Sequence, residues 1–196
     1  MGEKFDPAHA DRLENPERLV ELPPAHIVEL LGLRGDETVV DFGAGTGLYA
    51  LPVAEALPQG RLLAVDEQPA LLERLRAKLP GHPAGARVVP VLAEGGRVPL
   101  PDGVADRVFL VNVLHHIDDD PVAQSELARL LRPGGLLLAL EYAQMERPVG
   151  PPNDHVLPLT GIRSLLAGLG LEEQAVYGPG VVGRYHNAVL ARRPAP

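Results

Sequence analysis

The 196-residue chain has no cysteine and no tryptophan, and only two methionines, three phenylalanines and four tyrosines. Without cysteine, thiol nucleophiles, disulfides, thiolate-bound zinc and iron–sulfur clusters are excluded, while histidine and carboxylate metal sites stay formally open. Positive charge is also short: 18 Lys and Arg against 26 Asp and Glu leave a net charge of −8. The basic residues are scattered along the chain, so it lacks the broad cationic face with which a protein displaces counterions from nucleic acid. Nucleic acid is therefore not an expected partner. No stretch reaches the roughly 18 uninterrupted apolar residues needed to span a bilayer. The charged start MGEKFDPAHADRLENPERL has no apolar run of the kind an export signal uses. The expectation is a soluble, cytoplasmic protein without a membrane span.

What is present reads as one folded domain over 1–196. Glycine and proline number 21 each, below the share that marks disordered or fibrous chains. No repeat or polar linker divides the sequence. Residues 1–22 are charged with a few leucines and are closed off by Pro23-Pro24, which predicts a helical cap, a candidate lid, before the core. Apolar periodicity then alternates between helix and strand. Helices are expected at Ala25–Leu31, Leu48–Leu57, Ala70–Leu79 and Pro121–Leu131, the last with Asp120 at its N-cap. Strands are expected at Glu37–Phe42, Arg61–Val65, Arg87–Leu92, Ala105–Asn112 and Leu136–Tyr142. Runs such as LLLALEY, apolar on both faces, belong to strands covered by helices on both sides. After a polar loop at Ala143–Pro158 and a helix at Gly161–Leu169, Glu172–Val176 and His186–Ala191 read as an antiparallel hairpin at the sheet edge. The fold class is α/β, a doubly wound Rossmann-like and mostly parallel sheet with a C-terminal antiparallel hairpin.

The most informative segment is Val39-Val40-Asp41-Phe42-Gly43-Ala44-Gly45-Thr46-Gly47, a buried strand running through three alternating glycines into a helix. Glycine permits the sharp turn and lets a ligand approach the main chain where a Cβ would collide. A dinucleotide loop, G-x-G-x-x-G/A, would need Gly or Ala at the position of Leu48, so the third glycine falls one residue early. Asp41 would repel a diphosphate and suits a ligand bearing positive charge. Nineteen residues after Gly47, the second strand ends at Asp66, where a carboxylate can accept hydrogen bonds from both hydroxyls of a ribose. Asp is also a common helix cap after a strand, so this position is informative only in combination with the loop.

With VVDFGAGTG, AVDEQPALLERLRAKL, DRVFLVNVLHHI and LARLLRPGGLLLALEY in that order, the chain resembles the class I S-adenosylmethionine-dependent methyltransferases. It is closest in type to the small single-domain ones related to ubiquinone/menaquinone-biosynthesis methyltransferases. The resemblance runs from about Pro24 to Tyr142. It implies a seven-stranded sheet with S-adenosyl-L-methionine across the strand ends and S-adenosyl-L-homocysteine as product. On that resemblance 24–142 is the cofactor-binding core, and 143–196 supplies a substrate-side loop and the terminal hairpin. Asp41, Gly43, Gly45 and Gly47 would hold the methionine part, with Asp41 near its ammonium. Asp66 would take the ribose, Glu67 would lie against the adenine, and Asn112 would border the methionine and the reaction site. Arg132-Pro133-Gly134-Gly135 would be only the turn into the fifth strand. One position departs from the family: Leu92 stands where an aspartate usually binds the adenine amino group, and either Glu94 or the Ala93 backbone is expected to replace it.

Methyl transfer is an in-line displacement activated by the cofactor itself. Alignment alone can contribute ~7–11 kcal/mol, so a dedicated base is optional. His115 and His116, just after the fourth strand, are the candidate catalytic bases. Glu141 and Tyr142 read more simply as a sheet-end ion pair and a packed ring. His9 and Arg12 lie in the candidate lid. His155 and His186 fall in loop or edge-strand contexts without metal-ligand spacing, so no metal is assigned. Three readings compete: a methyltransferase acting on a small molecule, a catalytically inactive cofactor-binding regulatory or assembly module, and a nicotinamide-dependent oxidoreductase, which the glycine spacing and Asp41 disfavour. The acceptor and the oligomeric state are not legible in the sequence.

Overall fold

A computed structural model describes residues 7–148 and 150–195. Seven strands form one sheet in the order β3-β2-β1-β4-β5-β7-β6. They are β1 Thr38–Phe42, β2 Arg61–Asp66, β3 Val88–Leu92, β4 Ala105–Val111, β5 Leu131–Tyr142, β6 Glu172–Tyr177 and β7 His186–Arg192. β1 to β5 pair in parallel, and β7 is antiparallel to both β5 and β6. The chain order doubles back at β1, whose neighbours are β2 and β4, so a crevice opens at the carboxyl end of that strand.

The α-helices among the described residues are α1 Glu17–Glu21, α2 Pro24–Leu31, α3 Ala50–Glu55, α4 Pro69–Lys78, α5 Pro121–Leu130 and α6 Leu159–Gly168. Ile27, Leu31, Leu72 and Leu75 of α2 and α4 pack with Val39, Leu62 and Phe109 on one face. Leu127, Leu130 and Ile162 of α5 and α6 pack with Val40, Leu63 and Val108 on the other. Alternate residues of the same strands thus enter opposite cores, which is why the strands carry almost no polar positions. As expected, Asp120 caps α5, its Oδ1 accepting from the Val122 and Ala123 amides at 3.0 Å each.

Three details differ from the expectations. The N-terminal cap is not one helix: a 3-10 helix spans Pro7–Glu14 and α1 follows after Pro16, because a proline there interrupts the helical hydrogen bonds. Arg132–Gly135 does not precede β5 but lies inside it. Leu131 already pairs with Ala105, and the register then shifts between Ala105 and Arg107 to absorb the segment. Finally, β7 is not an edge strand. The hairpin folds back between β5 and β6, which places His186 in the interior at 2% exposure. Among the described residues no helix is long and apolar enough to cross a membrane.

Candidate functional site

β1 delivers Asp41 and Phe42 to the crevice, and the loop Gly43–Gly47 then turns over the end of β2. Gly43 and Ala44 donate their amides to the Val65 carbonyl at 2.8 and 2.9 Å. All three loop glycines have positive φ, 81°, 55° and 84° in order, a region that side chains with a Cβ avoid. Asp66, at the end of β2, braces the same loop: its Oδ2 accepts from the Gly45 amide at 2.8 Å and its Oδ1 from the Gln68 amide at 2.9 Å. Burial raises the Asp66 pKa, and these two amides work against the rise.

Asp41 has no such support. It is 3% exposed, and its Oδ2 has no hydrogen-bond partner. Burial, with the Asp66 charge nearby, pushes its carboxyl well above the usual carboxylate range. Close by, Thr46 Oγ1 and Asn112 Oδ1 are also buried without partners. Native interiors rarely leave such groups unpaired, so three in one crevice call for a ligand.

One cleft joins these groups. Asp41, Gly43 and Gly45 line it from the end of β1, Asp66, Glu67 and Ala93 from the ends of β2 and β3, and Asn112 and His116 from beyond β4. Of the sequence candidates, Gly47, Glu94 and His115 do not line it. Gly47 faces α4, where a Cβ would lie 2.4 Å from Leu75 Cδ1, so its glycine serves helix packing. Glu94 is exposed, in a two-residue turn bridged to Arg97, which leaves Ala93 as the member of that pair at the cleft. Leu92 packs into the core on the α4 side of the sheet.

His115 is turned toward Glu141 instead. Its Nδ1 lies 2.8 Å from Oε2 of Glu141, which is completely buried and also accepts from the His115 and Tyr142 amides. Glu141 thus pairs with His115 at the sheet end, and Tyr142 packs its ring 4.5 Å from that of His186. Glu141→Ala strips three hydrogen bonds from a buried site and should cost about 3–5 kcal/mol of stability. A melting temperature equal to that of the parent protein would contradict this.

Sequence reading missed several cleft residues. Leu13, just after the first 3-10 turn, and Arg18 of α1 form a roof over the glycine loop, with Leu13 Cδ1 only 3.4 Å from where a Gly45 Cβ would stand. Lys78 ties this roof down, bonding Glu14 at 2.8 Å and the Thr46 carbonyl at 3.0 Å. Arg74 bonds Asp11 at 2.6 Å. Both are long-range pairs between the N-terminus and α4 that no local pattern announces. The His9 side chain lies outside the described residues, and Arg12 is not among those lining the cleft. Tyr49, Gly96 and Asp120 also line it. Burial raises the Tyr49 pKa, so its phenol stays protonated. Among the described residues no group of three or more His, Asp or Glu side chains could hold a metal ion.

Residues 40–139, about half of the chain, match the family described as Methyltransferase domain. The ubiquinone/menaquinone biosynthesis C-methyltransferase UbiE of Syntrophotalea carbinolica is 32% identical over 140 residues, covering 68% of this chain and 58% of that protein. The Hahella chejuensis protein of the same name is 30% identical over 123 residues, 62% of this chain and 49% of that one. The chain therefore spans about half the length of the curated relatives it matches. Among solved structures, a SAM-dependent methyltransferase from Aquifex aeolicus superposes with a TM-score of 0.87 at 27% identity, covering 96% of this chain and 99% of the other. The [4+2]-cyclase SpnF, at 18% identity and a TM-score of 0.74, covering 88% of this chain and 81% of its own, shares the fold alone. Sequence match and near-complete structural coverage agree with the crevice at β1, and the chain belongs to the class I S-adenosylmethionine-dependent methyltransferase family, related to UbiE.

Proposed function

We propose that the chain transfers a methyl group from S-adenosylmethionine to a small-molecule acceptor. The observation that supports this most strongly is the buried, unpartnered carboxylate of Asp41. An uncompensated charge there is costly, and a cationic ligand end removes the cost, whereas a diphosphate adds to it. The residues present fit this cofactor. Asp41 and Asn112 offer acceptors for the ammonium, and Gly45 leaves the backbone bare beside it, whereas a Cβ at Gly43 would stand 2.4 Å from Val113 Cγ2. Each Asp66 oxygen keeps acceptor capacity after its single amide bond, enough for two ribose hydroxyls. Glu67 and Ala93 border the purine end. Asp120 also lines the cleft, and its carboxylate, which accepts the Val122 and Ala123 amides through Oδ1, offers Oδ2 as an acceptor for an exocyclic amine.

Bound there, the cofactor supplies an electrophilic methyl group on a sulfonium. The chain supplies position and dryness. Asp41, Asn112 and Asp66 fix the ligand at its cationic end and its middle, and Leu13 and Arg18 exclude water from above. His116 reaches the cleft where an acceptor would enter, and an imidazole can take the proton released by a hydroxyl or amine. His115, held by Glu141, packs against the His116 ring at 4.0 Å between centroids and a 43° tilt. His116→Ala should lower turnover about 100-fold while leaving S-adenosylhomocysteine affinity within a few-fold. Unchanged turnover would remove His116 from the chemistry. In this reading the whole of 1–196 is one functional unit, with 1–22 as the lid and 143–196 on the acceptor side, working as a soluble enzyme on no nucleic acid.

Calorimetric titration tests the reading. Binding of S-adenosylmethionine and S-adenosylhomocysteine, with no binding of nicotinamide dinucleotides, is the expected result; failure of both adenosyl ligands overturns it. A screen of quinones, phenols, amines and carboxylates with methyl-labelled cofactor then separates an enzyme from a binding module. The second reading, a cofactor-binding module without transferase activity, draws on Leu92, which offers no carboxylate to the cleft. Binding without methylation of any acceptor would favour it.

A further inference from the structure

We propose that His186 is a positioning residue that sets the orientation of the Asn112 side-chain amide, so that Asn112 Oδ1 joins Asp41 Oδ2 as a second acceptor for the ligand ammonium. The inference rests on the cofactor reading above and adds to it a residue outside the cleft. Asn112 ends β4 at φ 57°, the one non-glycine residue with positive φ among those described, so the backbone is bent there to present this side chain. Its Nδ2 lies 3.2 Å from His186 Nε2, which accepts from it when the imidazole carries its proton on Nδ1, and its Oδ1 is buried with no partner.

A side-chain amide is a donor at one end and an acceptor at the other, and a half-turn exchanges them. The exchanged orientation would aim N–H groups at an ammonium and lose the contact. A neutral imidazole that accepts at Nε2 tolerates only the NH2 group opposite it, and so fixes the amide. The ring is well held for this task. It is 2% exposed, its residue pairs with Tyr142 of β5 in the antiparallel ladder, and it packs against the Tyr142 ring at 4.5 Å. The Asn112 backbone amide in turn donates to the Leu140 carbonyl at 2.8 Å, so His186 reaches Asn112 across the end of β5. Burial lowers the His186 pKa to about 4, helped by Arg18 and Arg147, so the ring is neutral in ordinary buffer. Its Nδ1 is buried and unpartnered. A histidine kept at that expense has a use beyond filling space.

The test compares two probes, S-adenosylhomocysteine and 5′-methylthioadenosine, which shares the adenosine and sulfur but has no ammonium. His186→Leu removes the acceptor while filling the space; it should weaken S-adenosylhomocysteine about tenfold and leave 5′-methylthioadenosine within about twofold. His186→Gln, whose Oε1 can accept from Asn112, should restore most of the loss. In an Asn112→Ala background, His186→Leu should add nothing. His186→Phe serves as a second acceptor-free variant if Leu disturbs folding, which thermal unfolding reports. Equal weakening of both probes, unchanged affinity for S-adenosylhomocysteine, or additive losses in the double variant would overturn the role of His186 while leaving the cofactor reading intact. Failure of the parent protein to bind either probe would overturn both.

Discussion

Asp41→Asn is expected to weaken S-adenosylhomocysteine binding about 100-fold or more and, at the same time, to raise the melting temperature of the ligand-free protein at neutral pH. The two effects have one cause. Asp41 is a buried carboxylate without a partner for Oδ2, and burial together with Asp66 raises its pKa well above the usual range. With its cationic partner in place, a buried charge pair is lost on substitution, and losses of this kind run to about 3–5 kcal/mol. Without that partner the ionised carboxylate only destabilises. Because the folded pKa lies above the unfolded one, near 3.8, its contribution to stability is fully present below that value. The contribution is then lost as pH rises through the folded pKa. The ligand-free protein should therefore lose stability from about pH 4 upward, and Asp41→Asn should flatten that decline. Melting curves against pH, and titrations of both proteins, check the pair of effects. Parent-like affinity, or a variant less stable than the parent at neutral pH, would contradict them.

The second large effect separates glycines that look equivalent in sequence. Gly45→Val should abolish cofactor binding and leave the fold largely intact, whereas Gly47→Val should fail through the fold. Gly45 faces the cleft, and the nearest atom to an added Cβ is Leu13 Cδ1 at 3.4 Å, an ordinary contact with a roof that can move. The positive φ of 55° costs the variant about 1–2 kcal/mol, which a folded domain can absorb. At Gly47 the same atom would stand 2.4 Å from Leu75 Cδ1, inside the core that joins α4 to β1 and β2. Relieving that clash means repacking the buried Leu75 side chain or shifting α4, at a cost of about 1–3 kcal/mol on top of the strain of φ 84°. Circular dichroism and thermal unfolding beside a binding titration distinguish the two outcomes. Retained affinity in Gly45→Val would place the ligand elsewhere, and a fully stable Gly47→Val would remove the packing role.

The elements that were legible in the sequence are those whose side chains alternate between two apolar cores. Val39-Val40 and Leu62-Leu63 each feed both faces of the sheet, and that pattern admits few arrangements other than a covered parallel sheet. The loop at Gly43–Gly47 and the strand-end carboxylates Asp41 and Asp66 were legible for a similar reason, since their chemistry is local. What was not legible depends on contacts between distant segments. The division of the three glycines between ligand and packing is set by distant residues, Val113 against Gly43 and Leu75, almost thirty residues away, against Gly47. The exposure of Glu94 follows from the turn through Gly95 and Gly96, both at positive φ. His186 looked like an edge residue because hairpin strands read alike whichever of them lies inside. The return of β7 between β5 and β6 is what buries it against Asn112. The roof contributed by Leu13 and Arg18 is likewise a product of tertiary pairing, through Asp11–Arg74 and Glu14–Lys78.

The central claim is that the unpartnered acceptors at the end of β1 and β4 receive the cationic end of the cofactor. A crystal structure of the chain with S-adenosylhomocysteine tests it directly. The account predicts the ligand α-amino group within hydrogen-bond distance of Asp41 Oδ2 and Asn112 Oδ1, with the ribose hydroxyls on Asp66. A ligand that leaves Asp41 without a partner, or that lies outside the crevice at β1, would contradict it.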